Sequence, residues 1–189
     1  MNARSPEKFS GCPVIKIVSG GQTGVDRAAL DAAIQLDIAH GGWCPKGLLA
    51  EDGPIPAMYG MSESDSPDYA ARTERNVMDS DGTLIVYRDR LQSGTLLTNR
   101  LAKHHGKPLM RVRLDQDADV GEIRRWLIDS QIRVLNVAGP RASSQPTIYD
   151  ESLCLLVDLF TAKLSRDLLS GCRSVRRSHL RCHRCGLLR

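Results

Sequence analysis

The stretch VIKIVSGGQTG, residues 14–24, joins an apolar run directly to a cluster of glycines. Val14–Val18 predicts a buried strand, because every residue in it except Lys16 is valine or isoleucine. A helix is predicted soon after the glycines, since apolar residues then recur at spacings of three and four: Leu30, Ala33, Ile34 and Ile38. A glycine turn between a strand and a helix presents backbone N–H groups at a helix N-terminus, which suits an oxyanion such as phosphate.

The glycine turn itself, Gly20–Gly24, matches no standard phosphate motif. It lacks the lysine of the G-x-x-x-x-G-K-[ST] loop and the spacing of G-x-G-x-x-G. ATP hydrolysis by a P-loop and a standard dinucleotide site are therefore not predicted. Two interpretations remain open: a nest that binds an anion, or a tight turn followed by a helix that Asp26 stabilises in its first turn.

Short apolar strands alternate with helices along the rest of the chain. Four more strands are predicted, at His40–Trp43, Thr83–Tyr87, Leu109–Leu114 and Val134–Ala138. One helix is predicted to begin with Ser66 as its N-cap, and a last one to span Tyr149–Leu164. The Pro- and Gly-rich residues 44–65 predict a long loop. The alternation predicts a Rossmann-like three-layer α/β/α fold with a mostly parallel sheet of about five strands.

Three turns are expected at one edge of such a sheet. Ser93-Gly94-Thr95 follows the third predicted strand and Gly139-Pro140-Arg141 follows the fifth, as Gly20–Gly24 follows the first. Because ligands bind outside the carboxyl ends of parallel strands, these turns should form one site. The hydroxyls on either side of Gly94 favour an anion there, whereas the simpler interpretation makes Thr95 a helix cap.

The positive charge that the glycine turn lacks is expected from other segments. Lys46 and Arg141 lie on loops constrained by Gly and Pro, and Arg72 lies on a helix. The face around Arg72 is polar and carries Tyr69, Thr73 and Asn76. We predict that Lys46, Arg72 and Arg141 converge on the glycine turn and suit a ligand with more than one anionic group. The alternative is that each side chain is simply solvated.

Catalytic motifs are not evident. The sequence has no H-E-x-x-H pattern and no evident Ser-His-Asp order, and its five histidines lie away from the glycine turns. Asp26 and the pair Glu51-Asp52 are the carboxylates best placed near the predicted site, with Asp26 and Glu51 as the candidates for catalysis. One of them could serve as a general base or bind a sugar hydroxyl.

Length and charge define the expected domain organisation. The chain has 189 residues, and one domain is expected over residues 14–168, between a flexible segment 1–13 and a basic tail 169–189. The formal net charge is +4, but residues 171–189 hold six arginines and no acid, which leaves the rest of the chain with a net charge of −2. Nucleic-acid binding is therefore not expected of the folded body and stays open for the tail.

The tail carries residue types that bind zinc: Cys172, His179, Cys182 and Cys185. Six residues separate the first two, where zinc sites use two to four, so we expect an unstructured basic extension instead. The sequence shows neither a run of 18 apolar residues nor a signal-peptide pattern. No membrane association is therefore predicted, and the expected location is the cytoplasm.

Five ordered runs resemble a known family: SGGQTGVDRAALDAA (Ser19–Ala33), GGWCPKGLLAEDGPIP (Gly41–Pro56), RTERNVMDSDGTLI (Arg72–Ile85), SGTLLT (Ser93–Thr98) and LNVAGPR (Leu135–Arg141). They resemble the family named "putative molybdenum carrier", a circularly permuted branch of the Rossmann-like SLOG superfamily. The resemblance implies binding of molybdenum cofactor or another phosphate-bearing nucleotide-like or pterin ligand. It also implies the ligand residues Gly20, Gly21, Gln22, Thr23, Gly24, Lys46, Arg72, Thr73, Asn76, Ser93, Gly94, Thr95 and Arg141. The family pattern has a second glycine where this chain has Ser93, so a side chain there is expected to narrow the pocket.

Three functions remain open from the sequence. The first is a carrier that binds a phosphate-bearing small molecule without transforming it. The second is a hydrolase of the N-glycosidic bond in nucleoside monophosphates, by analogy with the LOG-type phosphoribohydrolases of the same superfamily. The third is a sensor or scaffold that reads a nucleotide while its arginine-rich tail contacts nucleic acid. The oligomeric state stays open, and a homo-oligomer is compatible with a domain of this kind.

Overall fold

A six-stranded parallel sheet forms the centre of the computed structural model, which describes residues 12–66 and 68–161. The strands in chain order are β1 (Lys16–Val18), β2 (Ala39–Cys44), β3 (Leu49–Ala50), β4 (Gly53–Pro54), β5 (Met61–Glu63), β6 (Gly82–Tyr87), β7 (Leu109–Arg113) and β8 (Val134–Ala138). The order across the sheet is β5-β2-β1-β8-β6-β7, and every neighbouring pair is parallel. β3 and β4 form a separate antiparallel hairpin.

Helices cover both faces of this sheet. In the described ranges they are α1 (Val25–Gln35), α2 (Tyr69–Met78), α3 (Ser93–His104), α4 (Val120–Asp129) and α5 (Ile148–Thr161). Parallel crossovers are right-handed, so connections that move in opposite directions along the sheet lie on opposite faces. This places α1 and α4 on one face, where both pack against α5, and places α2 and α3 together on the other. The predicted three-layer Rossmann-like α/β/α class is confirmed.

The core lies between these layers. The inner strand β6 buries Leu84, Ile85 and Val86 completely, because helices cover both of its sides. On one face, the fully buried Leu156 and Leu159 of α5 belong to the same apolar cluster as Leu84 and Val86. The sheet is therefore packed tightly between the helices, and this packing positions the strand ends from which the loops of the site begin.

The Pro- and Gly-rich residues 44–65 were predicted as a long loop, but they contain the sixth strand of the sheet. β5 pairs with β2 at the sheet edge, from Gly42 opposite Met61 to Cys44 opposite Glu63. The same stretch forms the β3–β4 hairpin and a short 3-10 helix, Ala57–Tyr59. These strands are two or three residues long, which is too short for an alternating apolar pattern to emerge from the sequence.

The helix α2 begins later than predicted. Its N-cap is Asp68 rather than Ser66, because the Asp68 side chain accepts a hydrogen bond from the Ala70 amide at 2.8 Å. The Ser66 hydroxyl instead accepts a hydrogen bond from the Asp68 amide at 3.1 Å, ahead of the helix. Tyr69 consequently becomes the first helical residue.

Some sequence predictions concern parts of the chain outside the described ranges. They include most of segment 1–13, the end of the last predicted helix at Leu164, and the basic tail 169–189. The four zinc candidates of the tail, Cys172, His179, Cys182 and Cys185, also lie outside the described residues. Within those ranges, no helix has both the length and the apolar character that crossing a membrane requires.

Candidate ligand-binding site

A cavity of about 360 Å³ opens at the carboxyl-end edge of the sheet, between α2 and α3. Its floor includes Asn136 and Ala138 at the end of β8, the strand that separates β1 from β6. The three glycine-containing turns after β1, β6 and β8 all contribute to its lining. A volume of this size is within the range of pockets that hold small-molecule ligands.

Most of the residues predicted from the sequence line this cavity. The lining includes ten of them: Gly20, Gln22, Asp26, Arg72, Thr73, Asn76, Ser93, Gly94, Thr95 and Arg141. They come from the loop after β1, the first turn of α1, the polar face of α2, the start of α3 and the loop after β8. The fold therefore brings together segments that lie up to about 120 residues apart in the sequence.

Five predicted residues do not line the cavity. Gly21 faces the side chains of Ile55 and Met61, and Gly24 lies against the backbone at Pro140. Thr23 and Glu51 bond to one another beside the cavity. Lys46 is exposed on the turn between β2 and β3, so of the three predicted cations the fold brings Arg72 and Arg141 to the cavity and leaves Lys46 outside its lining.

Gly20 is required for the position of Arg72. A Cβ atom on Gly20 would lie 1.4 Å from Arg72 Nη1, so the guanidinium occupies the space that any side chain at this position would take. Arg72 Nη1 lies 3.7 Å from Asp26 Oδ2, and the Arg72 side chain is 14% exposed. Its Nε is buried and has no hydrogen-bond partner. The glycine turn therefore supports a cation directly, in place of the lysine that the turn itself lacks.

Asp26 is a buried carboxyl group in the cavity lining. Burial raises its pKa, and the charge of Arg72 with hydrogen bonds to the backbone of Gln22 and Gly139 offsets this only in part. Because Asp26 stands at the start of α1, its negative charge also complements the positive end of the helix. Because its carboxylate oxygens contact Arg72 and the backbone of Gln22, Asp26 orients both the Arg72 side chain and the glycine turn.

Two polar residues on α2 are already bonded within the protein. Asn76 accepts a hydrogen bond from the Trp43 amide at 2.7 Å and donates one to the Trp43 carbonyl at 3.0 Å. The Thr73 hydroxyl donates to the Tyr69 carbonyl at 2.7 Å, and its remaining lone pair can still accept. Asn76 therefore positions α2 against β2. Its side-chain amide, which was predicted to bind a ligand, is engaged by the Trp43 backbone.

Glu51 joins three loops at the rim of the cavity. It accepts hydrogen bonds from the hydroxyl of Thr23 and from both the amide and the hydroxyl of Ser143, at 3.1 and 2.5 Å for Ser143. Thr23 in turn accepts a hydrogen bond from the Ala142 amide at 3.1 Å. Although burial acts to raise it, the hydrogen bonds from Ser143 and Thr23 hold the pKa of Glu51 below its ordinary value. Glu51 thus fixes the β3–β4 hairpin to the glycine turn and to the loop after β8.

Arg141 is shared between this rim and the cavity. Its Nη1 lies 3.7 Å from Glu51 Oε2, while the residue also lines the cavity and half of its side chain is exposed. The pairing with Glu51 therefore holds the guanidinium near the cavity mouth without burying it.

The start of α3 lines the cavity through Ser93, Gly94 and Thr95. No side chain caps this helix, and a Cβ atom on Gly94 would meet nothing within 4 Å. Ser93 has a φ of 41°, in the left-handed region that favours glycine, which fits the expectation of glycine at this position in the family. Helix N-termini carry backbone N–H groups with no partner inside the helix and a partial positive charge.

Arg90 is a cavity cation that was not predicted from the sequence. It precedes α3, is exposed and lines the cavity with Gln92 and Ser93. No glycine or proline adjoins it, so nothing marked it as different from a solvated loop arginine. The available signal was its place between the third strand and the second glycine turn. The lining thus holds three arginines, Arg72, Arg90 and Arg141, against a single carboxyl group, Asp26.

Metal ligands do not cluster in the described part of the chain. No group of three or more His, Cys, Asp or Glu side chains in residues 12–66 and 68–161 is placed to hold a metal ion.

Comparisons with known proteins identify the family. No curated protein matches the chain. A crystal structure described as a "putative molybdenum carrier protein" from Syntrophus aciditrophicus SB is 45% identical; the match covers 80% of this chain and 97% of that one, with a TM-score of 0.77. The model of the circularly permutated YpsA SLOG family matches residues 17–160, which is well over half of the sequence. The chain therefore belongs to the circularly permutated YpsA SLOG family.

Proposed function

We propose that this protein is a cytoplasmic carrier that binds a phosphate-bearing nucleotide-like or pterin ligand in the cavity, with molybdenum cofactor as its cargo, and does not transform it. The excess of cationic groups in the lining is the observation that carries the proposal: three arginines face one cavity with a single carboxyl group. Arginine binds phosphate through paired N–H donors, and an uncapped helix end adds backbone donors.

The open start of α3 is the best place for the phosphate. Arg90 and Ser93–Thr95 line the same side of the cavity, and Gly94 leaves room for an anion to approach the backbone. Adjacent strands are about 4.8 Å apart, so the loops after β1 and β6 begin about 10 Å from each other across β8. This spacing leaves room between the two turns for a ligand longer than a single phosphate group. The rest of the ligand is therefore expected to extend from α3 towards Arg72 and Arg141.

Carriage without chemistry is favoured because both candidate catalytic carboxylates have other roles. Asp26 holds Arg72 and the backbone of the glycine turn, and Glu51 holds Thr23 and Ser143. A general base must reach the reacting proton within hydrogen-bond distance, whereas Glu51 lies outside the cavity lining and Asp26 is paired with Arg72. The cargo itself supplies the molybdenum and the pterin, while the residues of this chain bind the phosphate and orient the ligand.

Ligand-induced stabilisation tests the carrier function. The purified full chain would be heated alone and with molybdate, nucleotides or pterin phosphates, and mass spectrometry would identify any small molecule and metal that co-purify. We expect a phosphate-bearing ligand to raise the melting temperature, since a ligand that binds the folded state stabilises it. If none of these compounds raises the melting temperature and nothing co-purifies, the carrier function is contradicted.

A second candidate function is hydrolysis of an N-glycosidic bond in a nucleoside monophosphate. The observation in its favour is Asp26, a buried carboxyl group with a raised pKa in the cavity lining. Release of free base from a nucleotide panel would be assayed with the natural chain and with Asp26→Asn. This function requires release by the natural chain and its loss in D26N, whereas no release at all would exclude the nucleotides tested as substrates.

The other sequence predictions remain predictions. They are the domain limits at residues 14–168, a homo-oligomer, and contact between the arginine-rich tail and nucleic acid. Size-exclusion chromatography with light scattering would address the oligomer. Nucleic-acid retention before and after deletion of residues 171–189, at two salt concentrations, would address the tail.

A further inference from the structure

Tyr69 is an aromatic side chain that the phosphate-binding account does not use. It is the first residue of α2, it lines the cavity, and 53% of its surface is exposed. Single exposed apolar residues are common on protein surfaces and need no explanation by themselves. Tyr69 differs because its exposed ring borders a cavity whose other lining is largely polar and cationic.

The surroundings of Tyr69 give the cavity an apolar side. Leu97, on the facing helix α3, also lines the cavity, and the two side chains are the large apolar groups of its lining in the described residues. The Arg72 guanidinium carbon lies 5.8 Å from the centroid of the Tyr69 ring, so the ring stands next to a cation on the same helix. The cavity therefore offers a flat aromatic surface at the start of α2, while Arg90, Arg141 and the start of α3 offer cations and backbone donors.

We propose that Tyr69 determines ligand specificity by stacking on a planar aromatic heterocycle of the bound ligand. The inference rests on the proposed phosphate-binding function and specifies the organic part of the ligand: a flat ring system, joined through a sugar or a short linker to the phosphate at α3. Stacking needs only the face of the ring, so it accepts purines and pterins alike. A sugar phosphate without a ring would bind through the cationic side alone.

Calorimetric titration of the full chain with guanosine monophosphate and with ribose 5-phosphate separates the two sides of the cavity. We expect the natural chain to bind guanosine monophosphate more tightly. Tyr69→Leu should lose on the order of ten-fold in affinity for guanosine monophosphate, since stacking on one base contributes about 1–3 kcal/mol, and should leave the affinity for ribose 5-phosphate unchanged. Tyr69→Phe keeps the ring and should retain the preference.

Met78→Ala is the matched control, because Met78 is an equally exposed apolar residue of α2, at 52%, that does not line the cavity. It should change neither affinity. Melting temperatures of all variants would show that they fold.

Three outcomes would overturn the inference. Equal affinity of the natural chain for both ligands, or an equal change for both ligands in Y69L, would show that Tyr69 does not recognise a ring. Unchanged affinity of Y69L for guanosine monophosphate would also show that Tyr69 does not contact the ring of the ligand. If the natural chain binds neither compound nor any other phosphate ligand, the proposed function itself fails, and this result is distinguishable from the others.

Discussion

The turns after β1 and β6 both carry glycine between a strand and a helix, but they differ in structure. In the turn after β1, Arg72 fills the space beside Gly20, and the Val25 amide at the start of α1 donates to the Pro140 carbonyl at 3.2 Å. In the turn after β6, a Cβ atom on Gly94 would meet nothing within 4 Å, and Ser93, Gly94 and Thr95 all line the cavity. The first turn is therefore closed by contacts within the protein, while the second is open to a ligand.

The comparison separates two uses of glycine. In the first turn, glycine permits close packing of the protein against itself, which positions Arg72 and the loop after β8. In the second turn, glycine leaves the backbone accessible to a ligand. A glycine-rich strand-to-helix turn thus indicates a tight backbone approach, and only the fold shows whether the partner is a side chain or a ligand.

The largest expected effect distinguishes the two turns by stability. Gly24→Ala should lower the free energy of unfolding by about 2–4 kcal/mol, from strain at positive φ together with overpacking. Gly24 has a φ of 76°, and its Cβ would lie 2.4 Å from the Pro140 carbonyl oxygen. Gly94→Ala should leave the stability within about 0.5 kcal/mol and should weaken phosphate binding instead. Urea unfolding and ligand titration of both variants check this; equal destabilisation by both would refute the comparison.

The next effect concerns the cations of the open turn. Arg90→Gln should lower the affinity for a phosphate ligand by about ten-fold to one-hundred-fold, since a charge-assisted hydrogen bond contributes about 1.5–3 kcal/mol. Lys46→Gln is the matched control, because Lys46 is an exposed loop cation that does not line the cavity. Titration at two salt concentrations would compare them. Similar losses in both variants would mean that net charge, and not the cavity, attracts the ligand.

A smaller effect is expected at Ser93. Its φ of 41° is strained for a residue with a side chain, so Ser93→Gly should raise the free energy of unfolding by up to about 1 kcal/mol, less the flexibility that glycine adds to the unfolded chain. The same change should also widen access to the start of α3 and preserve or improve phosphate affinity. Thermal unfolding and titration of S93G measure both quantities. Loss of affinity in S93G would show that the serine side chain contacts the ligand.

The smallest effect is a pH dependence of stability at the closed turn. The pKa of Glu51 is lowered from its ordinary 4.5, so its stabilising contribution is present above that value and is lost as the pH falls through the folded-state pKa. The pKa of Asp26 is raised from 3.8, so its contribution is present below that value and is lost as the pH rises through the folded-state pKa.

Unfolding free energies of the natural chain, Glu51→Gln and Asp26→Asn would be compared between about pH 3 and pH 8. The stability advantage of the natural chain over E51Q should shrink towards acid, and its advantage over D26N should shrink towards neutral pH. Parallel pH profiles for the two differences would contradict the opposite roles assigned to these carboxyl groups.

The sequence was sufficient for the alternation of strands and helices, because β1, β6 and β8 are short apolar runs with clear ends. It was insufficient for β5, whose three residues carry no pattern and whose pairing with β2 depends on tertiary contacts. The carboxyl-edge position of the site followed from topology alone.

Individual loop side chains could not be predicted in the same way. Lys46, Arg90 and Glu51 all lie on loops near strand ends, yet only Arg90 lines the cavity. The direction of each side chain depends on partners distant in sequence, as Glu51 shows by bonding to Thr23 and Ser143. The positions of Arg72 and Thr73 were easier to predict, because helical spacing determines which residues share a face.

A crystal structure of the full chain with bound guanosine monophosphate, or with the phosphate ligand that stabilises it most, tests the central claim most directly. We predict that the phosphate lies between Arg90 and the backbone amides of Ser93 and Gly94, with the rest of the ligand extending towards Arg72, Arg141 and Tyr69. A phosphate seated on the Gly20–Gly24 turn with the start of α3 empty, or a ligand bound outside the cavity, would contradict the account.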